Sequence, residues 1–128
     1  MNKKNTNYLL DTYPDLYIQH KLPMTQTCMC WLFECGDGWF KIIDNLSKQL
    51  SKHKGCEATQ VKEKFGTLRF YYIVMDDDGD YEKIANLVNE AEELSGETCE
   101  ECGKPGKLRG TCWLVTLCDK CWDIREIK

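Results

Sequence analysis

Thr67-Leu68-Arg69-Phe70-Tyr71-Tyr72-Ile73-Val74 places Leu68, Phe70, Tyr72 and Val74 at every second position. That period of two marks a strand with one buried face. Upstream, Glu57-Ala58-Thr59-Gln60-Val61-Lys62 alternates more weakly and is the natural partner strand. Glu63-Lys64-Phe65-Gly66 between them predicts a hairpin turn, because Gly66 can take a positive φ without steric cost.

A helix is predicted on each side of this hairpin. From about residue 38 to 53, Trp39, Ile42, Ile43, Leu46 and Leu50 make one apolar stripe, with Asp37 as the expected N-cap and Gly55 as the stop. From 81 to 95, Tyr81, Ile84, Leu87, Val88, Ala91 and Leu94 repeat at helical spacing, with Asp80 as cap and Gly96 as terminator. Asp76-Asp77-Asp78-Gly79 is expected to be an exposed turn. The first thirty residues read as irregular, with one short helical turn over 13–18 that holds Pro14 in its first position. The expected class is α+β: two helices on one face of a short antiparallel hairpin or sheet, residues 1–96, followed by a ribbon over 97–128.

That ribbon carries the strongest chemical signal in the chain. Cys99-Glu100-Glu101-Cys102 and Cys118-Asp119-Lys120-Cys121 give C-x2-C, fifteen residues, C-x2-C, a spacing expected of four-cysteine zinc sites. Two intervening residues let both thiolates of a pair face one tetrahedral ion, and a site closed by four thiolates is structural rather than catalytic. One structural zinc ion is therefore the expected cofactor. Gly103 is expected to turn the chain back and offer its amide to a sulfur. A redox role for either pair is disfavoured, since neither is expected to open a helix after a strand. Cys112 is spare and reads as a packed thiol, and Lys104, Lys107 and Arg109 form a small basic cluster on the ribbon's loop.

Nine cysteines in a chain without a recognisable export signal fit a reducing compartment, so a soluble protein of the cytoplasm is expected. No run approaches the roughly 20 apolar residues of a membrane span. Cys28, Cys30 and Cys35 lie close in sequence, and Cys56, His20 or His53 could complete a second metal site. Buried thiols are the better reading, because C-x-C-x4-C is not a common ligand spacing. Cys35 is also the nearest thing to a cysteine nucleophile, two residues before the expected helix cap. In Glu34-Cys35-Gly36-Asp37-Gly38-Trp39, glycines flank a carboxylate at a helix start, either as an anion site or as a plain cap. Around the hairpin, Lys62, Lys64 and Arg69 with Phe65 and the ring of Trp39 are candidate ligand-binding residues, since a phosphate plus base needs cations and a stacking ring.

Charge is unevenly spread. Residues 1–75 carry a net +3, residues 76–101 a net −10 and residues 103–128 a net +3, for −4 in all. A negative chain with pI near 5.2 argues against non-specific duplex binding.

Cys28-Met29-Cys30-Trp31, Glu34-Cys35-Gly36-Asp37-Gly38-Trp39, the run from Val61 to Tyr71 and the ribbon together resemble a family of small zinc-ribbon proteins encoded mostly by bacteriophages and prophages. The match runs from about Tyr13 to Cys121. The resemblance implies a phage or prophage origin and expression in the bacterial cytoplasm, and it carries no activity with it. The expected function is a non-enzymatic viral accessory protein that acts by binding, a counter-defence inhibitor that meets a host protein or sequesters a nucleotide signal. The alternative is a nucleic-acid-binding ribbon used in phage transcription or replication. Glu34 and Asp37 as a catalytic carboxylate pair is the weaker, enzymatic reading. A homodimer through the aromatic hairpin is a further expectation.

Overall fold

The computed structural model describes residues 1–75 and 80–127, with side chains as far as Arg125; the turn expected at Asp76 to Gly79 lies outside the described residues. The helices are α1 (Lys3–Thr12), α2 (Phe40–Leu50), α3 (Tyr81–Ser95) and α4 (Asp119–Ile127). The strands are β1 (Phe33–Glu34), β2 (Cys56–Lys64), β3 (Thr67–Val74), β4 (Lys107–Arg109) and β5 (Val115–Leu117). This is the expected α+β class. None of the described helices is long and apolar enough to cross a membrane.

The hairpin sets the frame. β2 and β3 pair antiparallel from Lys64↔Thr67 to Cys56↔Val74, with a bulge between Ala58 and Gln60. Phe65 and Gly66 form a two-residue loop in which both have positive φ, 55° and 84°. Such a turn matches the twist of the strands it joins. β1, which the sequence did not announce, adds in parallel to β2 through Phe33↔Val61 and Glu34↔Lys62.

One face of this sheet carries Val61, Leu68 and Phe70, and the stripes of α2 (Ile42, Ile43, Leu46, Leu50) and α3 (Ile84, Val88, Ala91) close over it in one core. Two residues of the expected α3 stripe, Tyr81 and Leu94, are exposed instead. Ser95 is buried in their place: its Oγ accepts from the Leu68 amide at 2.8 Å, and Glu92 Oε2 accepts from the Phe70 amide at 2.9 Å. These acceptors satisfy the outer edge of β3, which would otherwise present unpaired N–H groups.

Three expectations for the chain before the ribbon need correction. Residues 3–12 are helical, with Asn2 capping through its side chain onto the Asn5 amide. Asp37 does not cap α2; its Oδ1 accepts from the Asn2 amide and from Asn5 Nδ2, tying α1 to the rest of the fold. Asp80 makes no side-chain cap on α3 and lies 3.6 Å from His53 Nδ1.

Tyr17 is fully buried, with its ring edge-on to Phe33 and Phe70. Ser47 Oγ donates to the Ile43 carbonyl at 2.6 Å, so the 2.5 Å contact between Tyr17 and Ser47 has the phenol as donor. Burial raises the Tyr17 hydroxyl well above the usual tyrosine range, and burial plus Asp44 raises Tyr13. Both tyrosines hold their protons more tightly when folded. Their contribution is therefore complete below pH of about 10, where a free tyrosine titrates, and is lost as pH rises beyond it. Melting followed against pH should show stability declining above about pH 10. Tyr17→Phe should cost about 1 kcal/mol at neutral pH and make that alkaline decline shallower; an unchanged alkaline slope would count against the assignment.

Candidate metal centre

The two cysteine pairs are brought together by separate local devices. At the first, the Cys99 amide donates to the Lys104 carbonyl (2.7 Å) and the Gly103 amide to the Cys99 carbonyl (2.9 Å), which folds residues 99–104 into a knuckle. Gly103 thus serves the backbone of the turn and not a sulfur, which corrects the expectation above. The Lys104 amide is the strongest influence on the Cys102 thiol and lowers it, though desolvation and the neighbouring thiols leave the net shift upward. At the second pair, the Cys121 amide donates to Cys118 Sγ at 3.5 Å. That contact heads the causes that bring the Cys118 thiol down to about 7. Burial among the other thiols raises Cys121.

The β4–β5 hairpin carries one knuckle to the other, with Lys107↔Leu117 and Arg109↔Val115 at its ends. The four sulfurs of Cys99, Cys102, Cys118 and Cys121 lie within 4.8 Å of one another, and Cys102 and Cys118 are 3.6 Å apart. Thiolates bound tetrahedrally at about 2.3 Å from a zinc ion have sulfurs about 3.8 Å apart, so donor set and spacing fit a closed metal site. The second pair does open a helix, α4, after a strand, β5, contrary to the expectation. What sets it apart from a redox pair is the first pair beside it.

The ribbon is not an appendage. Its own core is small: Cys99, Val115 and Leu117, with Cys118, Cys121 and Trp122 packed against them. Its first knuckle sits on the segment from Gly36 to Trp39. The Gly36 amide donates to Glu100 Oε2 (2.9 Å), the Gly38 amide to the Glu100 carbonyl (2.7 Å), and Trp39 Nε1 to the Thr98 carbonyl (2.8 Å). A Cβ on Gly38 would stand 2.1 Å from the Cys99 carbonyl oxygen, and one on Gly36 would stand 2.4 Å from that of Glu100. The glycine-flanked turn is therefore a seat for backbone, and the anion it binds is a carboxylate of its own chain. Partial burial of that carboxylate raises Glu100, partly offset by the Gly36 amide. A second contact joins the hairpin tip to the ribbon: Thr116 Oγ1 donates to the Gly66 carbonyl at 2.5 Å, and Leu108 lies over Gly66.

The remaining candidates are placed differently. Trp39 is 0% exposed and part of the main core, which leaves no ring face for a ligand. Lys62 and Arg69 are cross-strand neighbours, and Lys64 and Phe65 follow at the turn, with Lys64 Nζ 5.5 Å from the Phe65 ring. Arg109 leaves the ribbon's basic cluster: its Nε donates to the Leu117 carbonyl, its guanidinium pairs with Asp119, and it covers Trp122. Cys112 is exposed and not packed. Among the described residues, the four ribbon cysteines are the one group of metal-ligand residues brought together, and Cys28, Cys30, Cys35 and Cys56 form no second site. Burial, with help from Glu100, pushes the Cys35 thiol up to about 12, the opposite of what a nucleophile needs. No family model, no curated protein and no solved structure matches this chain.

Proposed function

We propose that this chain is a non-enzymatic binding protein whose ribbon is closed by one structural zinc ion on Cys99, Cys102, Cys118 and Cys121. The observation that carries this reading is the tetrad of sulfurs within 4.8 Å of one another. Four thiolates select zinc or iron among common metals, and zinc is the usual ion of a redox-silent closed site. Binding rather than catalysis is supported by what the reactive candidates do. Cys35 holds its proton, and Asp37 is engaged by Asn2 and Asn5.

The resemblance to phage and prophage ribbons supports placing this binding in the bacterial cytoplasm, as a counter-defence accessory protein that meets a host protein or a nucleotide. Arg109 is spent inside the ribbon, which speaks against the ribbon loop as a nucleic-acid surface. Native mass spectrometry of cytoplasmically expressed protein, compared with the denatured chain, should show one zinc per chain. Iron at that stoichiometry would replace the ion in this reading. A folded chain with no metal would overturn it.

A further inference from the structure

We propose that the solvent-facing side of the three-stranded sheet binds single-stranded nucleic acid, with Lys62, Lys64 and Arg69 on phosphates and Tyr71 and Phe65 under bases. This rests on the reading of the chain as a protein that acts by binding, and it extends the nucleotide of that reading to a single strand. β2 and β3 bury Val61, Leu68 and Phe70, so strand alternation turns Gln60, Lys62 and Lys64 outward on one strand and Arg69, Tyr71 and Ile73 outward on the other. The register sets Lys62 opposite Arg69, and Gln60 opposite Tyr71.

Two cations facing each other across strands repel. Glu34 on β1 is the one acid placed in their row, and neither cation forms an ion pair among the described residues. A polyanion lying along the row would supply the counter-charge that both side chains lack.

The aromatic half of the strip points the same way. Tyr71 is 44% exposed and Phe65 is 64% exposed. Phe65 is held at φ 55°, a conformation that suits Asn or Gly and strains a bulky residue. Its ring gains little burial in return, while Lys64 stands over it. Strain kept at an exposed aromatic next to a cation is the pattern of a contact residue. Eight residues of β3 extend about 26 Å, room for about four nucleotides. Unpaired bases are required because stacking on a flat sheet needs a free base face. The apolar stripe of α3 lies on the helical side of this sheet, and its Glu92 carboxylate at the edge of β3 is taken up by the Phe70 amide.

Fluorescence anisotropy with a labelled oligothymidine of about twelve nucleotides, at low salt and with zinc content read on the same sample, tests this. Three phosphate contacts on a single strand predict that log K falls against log salt with a slope of about −2. Lys62→Gln with Arg69→Gln should reduce that slope by about 1.4. Tyr71→Ala, and Phe65→Asn, which suits the turn, should each weaken binding about tenfold, with circular dichroism and zinc content unchanged. Lys104→Gln with Lys107→Gln should leave affinity within about twofold. Zinc-loaded, folded protein that ignores the oligonucleotide overturns this proposal and leaves the zinc reading standing. So does binding that survives the Lys62/Arg69 change or is lost with Lys104 and Lys107.

Discussion

Removing the metal, by chelation or by Cys118→Ser, should unfold the ribbon from about residue 97 onward and lower the melting temperature of what remains by more than about 10 °C. The reason lies in the size of the ribbon's own core, which rests on Cys99, Val115 and Leu117. So few side chains cannot offset the entropy of ordering some thirty residues, about 1 kcal/mol or more for each. Structural zinc contributes about 10–16 kcal/mol in small modules, a sum comparable to the whole stability of a domain. Serine is close in size to cysteine, but its hydroxyl stays protonated and is a poor ligand for this ion, so the loss is chemical rather than steric.

The consequences should reach beyond the ribbon. Once residues 98–100 leave, Trp39 Nε1 and the amides of Gly36 and Gly38 lose their acceptors. Trp39 is the fully buried tryptophan, whereas Trp31 and Trp113 are exposed, so chelation should shift tryptophan emission to the red. The α2–α3–sheet core has its own cluster of buried residues from Leu9 to Ala91 and should persist. Far-ultraviolet circular dichroism should therefore fall only in part. An unchanged melt after metal removal verified by mass would sink the structural role of the ion.

How much of this was legible in the sequence follows from how local each interaction is. The cysteine pairs could be read because ligand geometry fixes their spacing within four residues, leaving the fifteen-residue link free. α3 could be read because Ile84, Val88 and Ala91 repeat at the helical period, and the turn at Phe65-Gly66 because Gly66 needs its positive φ. α1 could not, since its buried face is only Thr6 and Leu9, and Asp37, far along the chain, secures its start. The run from Glu34 to Trp39 is legible as a glycine-flanked carboxylate beside an aromatic, the makings of an anion site or a cap. What fills it is not legible, because the partner lies 64 residues away: the anion at the Gly36 amide is Glu100. Trp39 looked like a stacking ring for the same reason, and nothing local announced that Thr98 would take its N–H.

That long-range seat gives the second large effect. Gly38→Ala should lower stability by about 4–6 kcal/mol while leaving zinc stoichiometry at one per chain. A Cβ at Gly38 would meet the Cys99 carbonyl oxygen at 2.1 Å and the Glu100 carbonyl carbon and oxygen at 2.5 Å. All three are backbone atoms of the knuckle, so no side-chain rotation relieves the overlap. Overpacking of this kind costs about 1–3 kcal/mol and more when the neighbour cannot yield. The bond from the Gly38 amide to the Glu100 carbonyl and its two neighbours at Gly36 and Trp39 would lengthen or break, at about 1 kcal/mol each. Together these correspond to a fall of about 10–20 °C in melting temperature. Gly96→Ala is the control, because its Cβ would meet nothing closer than 3.3 Å and its φ of −67° suits alanine. Gly38 is no metal ligand, so the variant should load zinc and yet expose Trp39, separating formation of the metal centre from its docking. Equal melting of the Gly38 and Gly96 variants would mean that the knuckle does not depend on this seat. A Gly38 variant that lost its zinc would mean that centre and seat form only together.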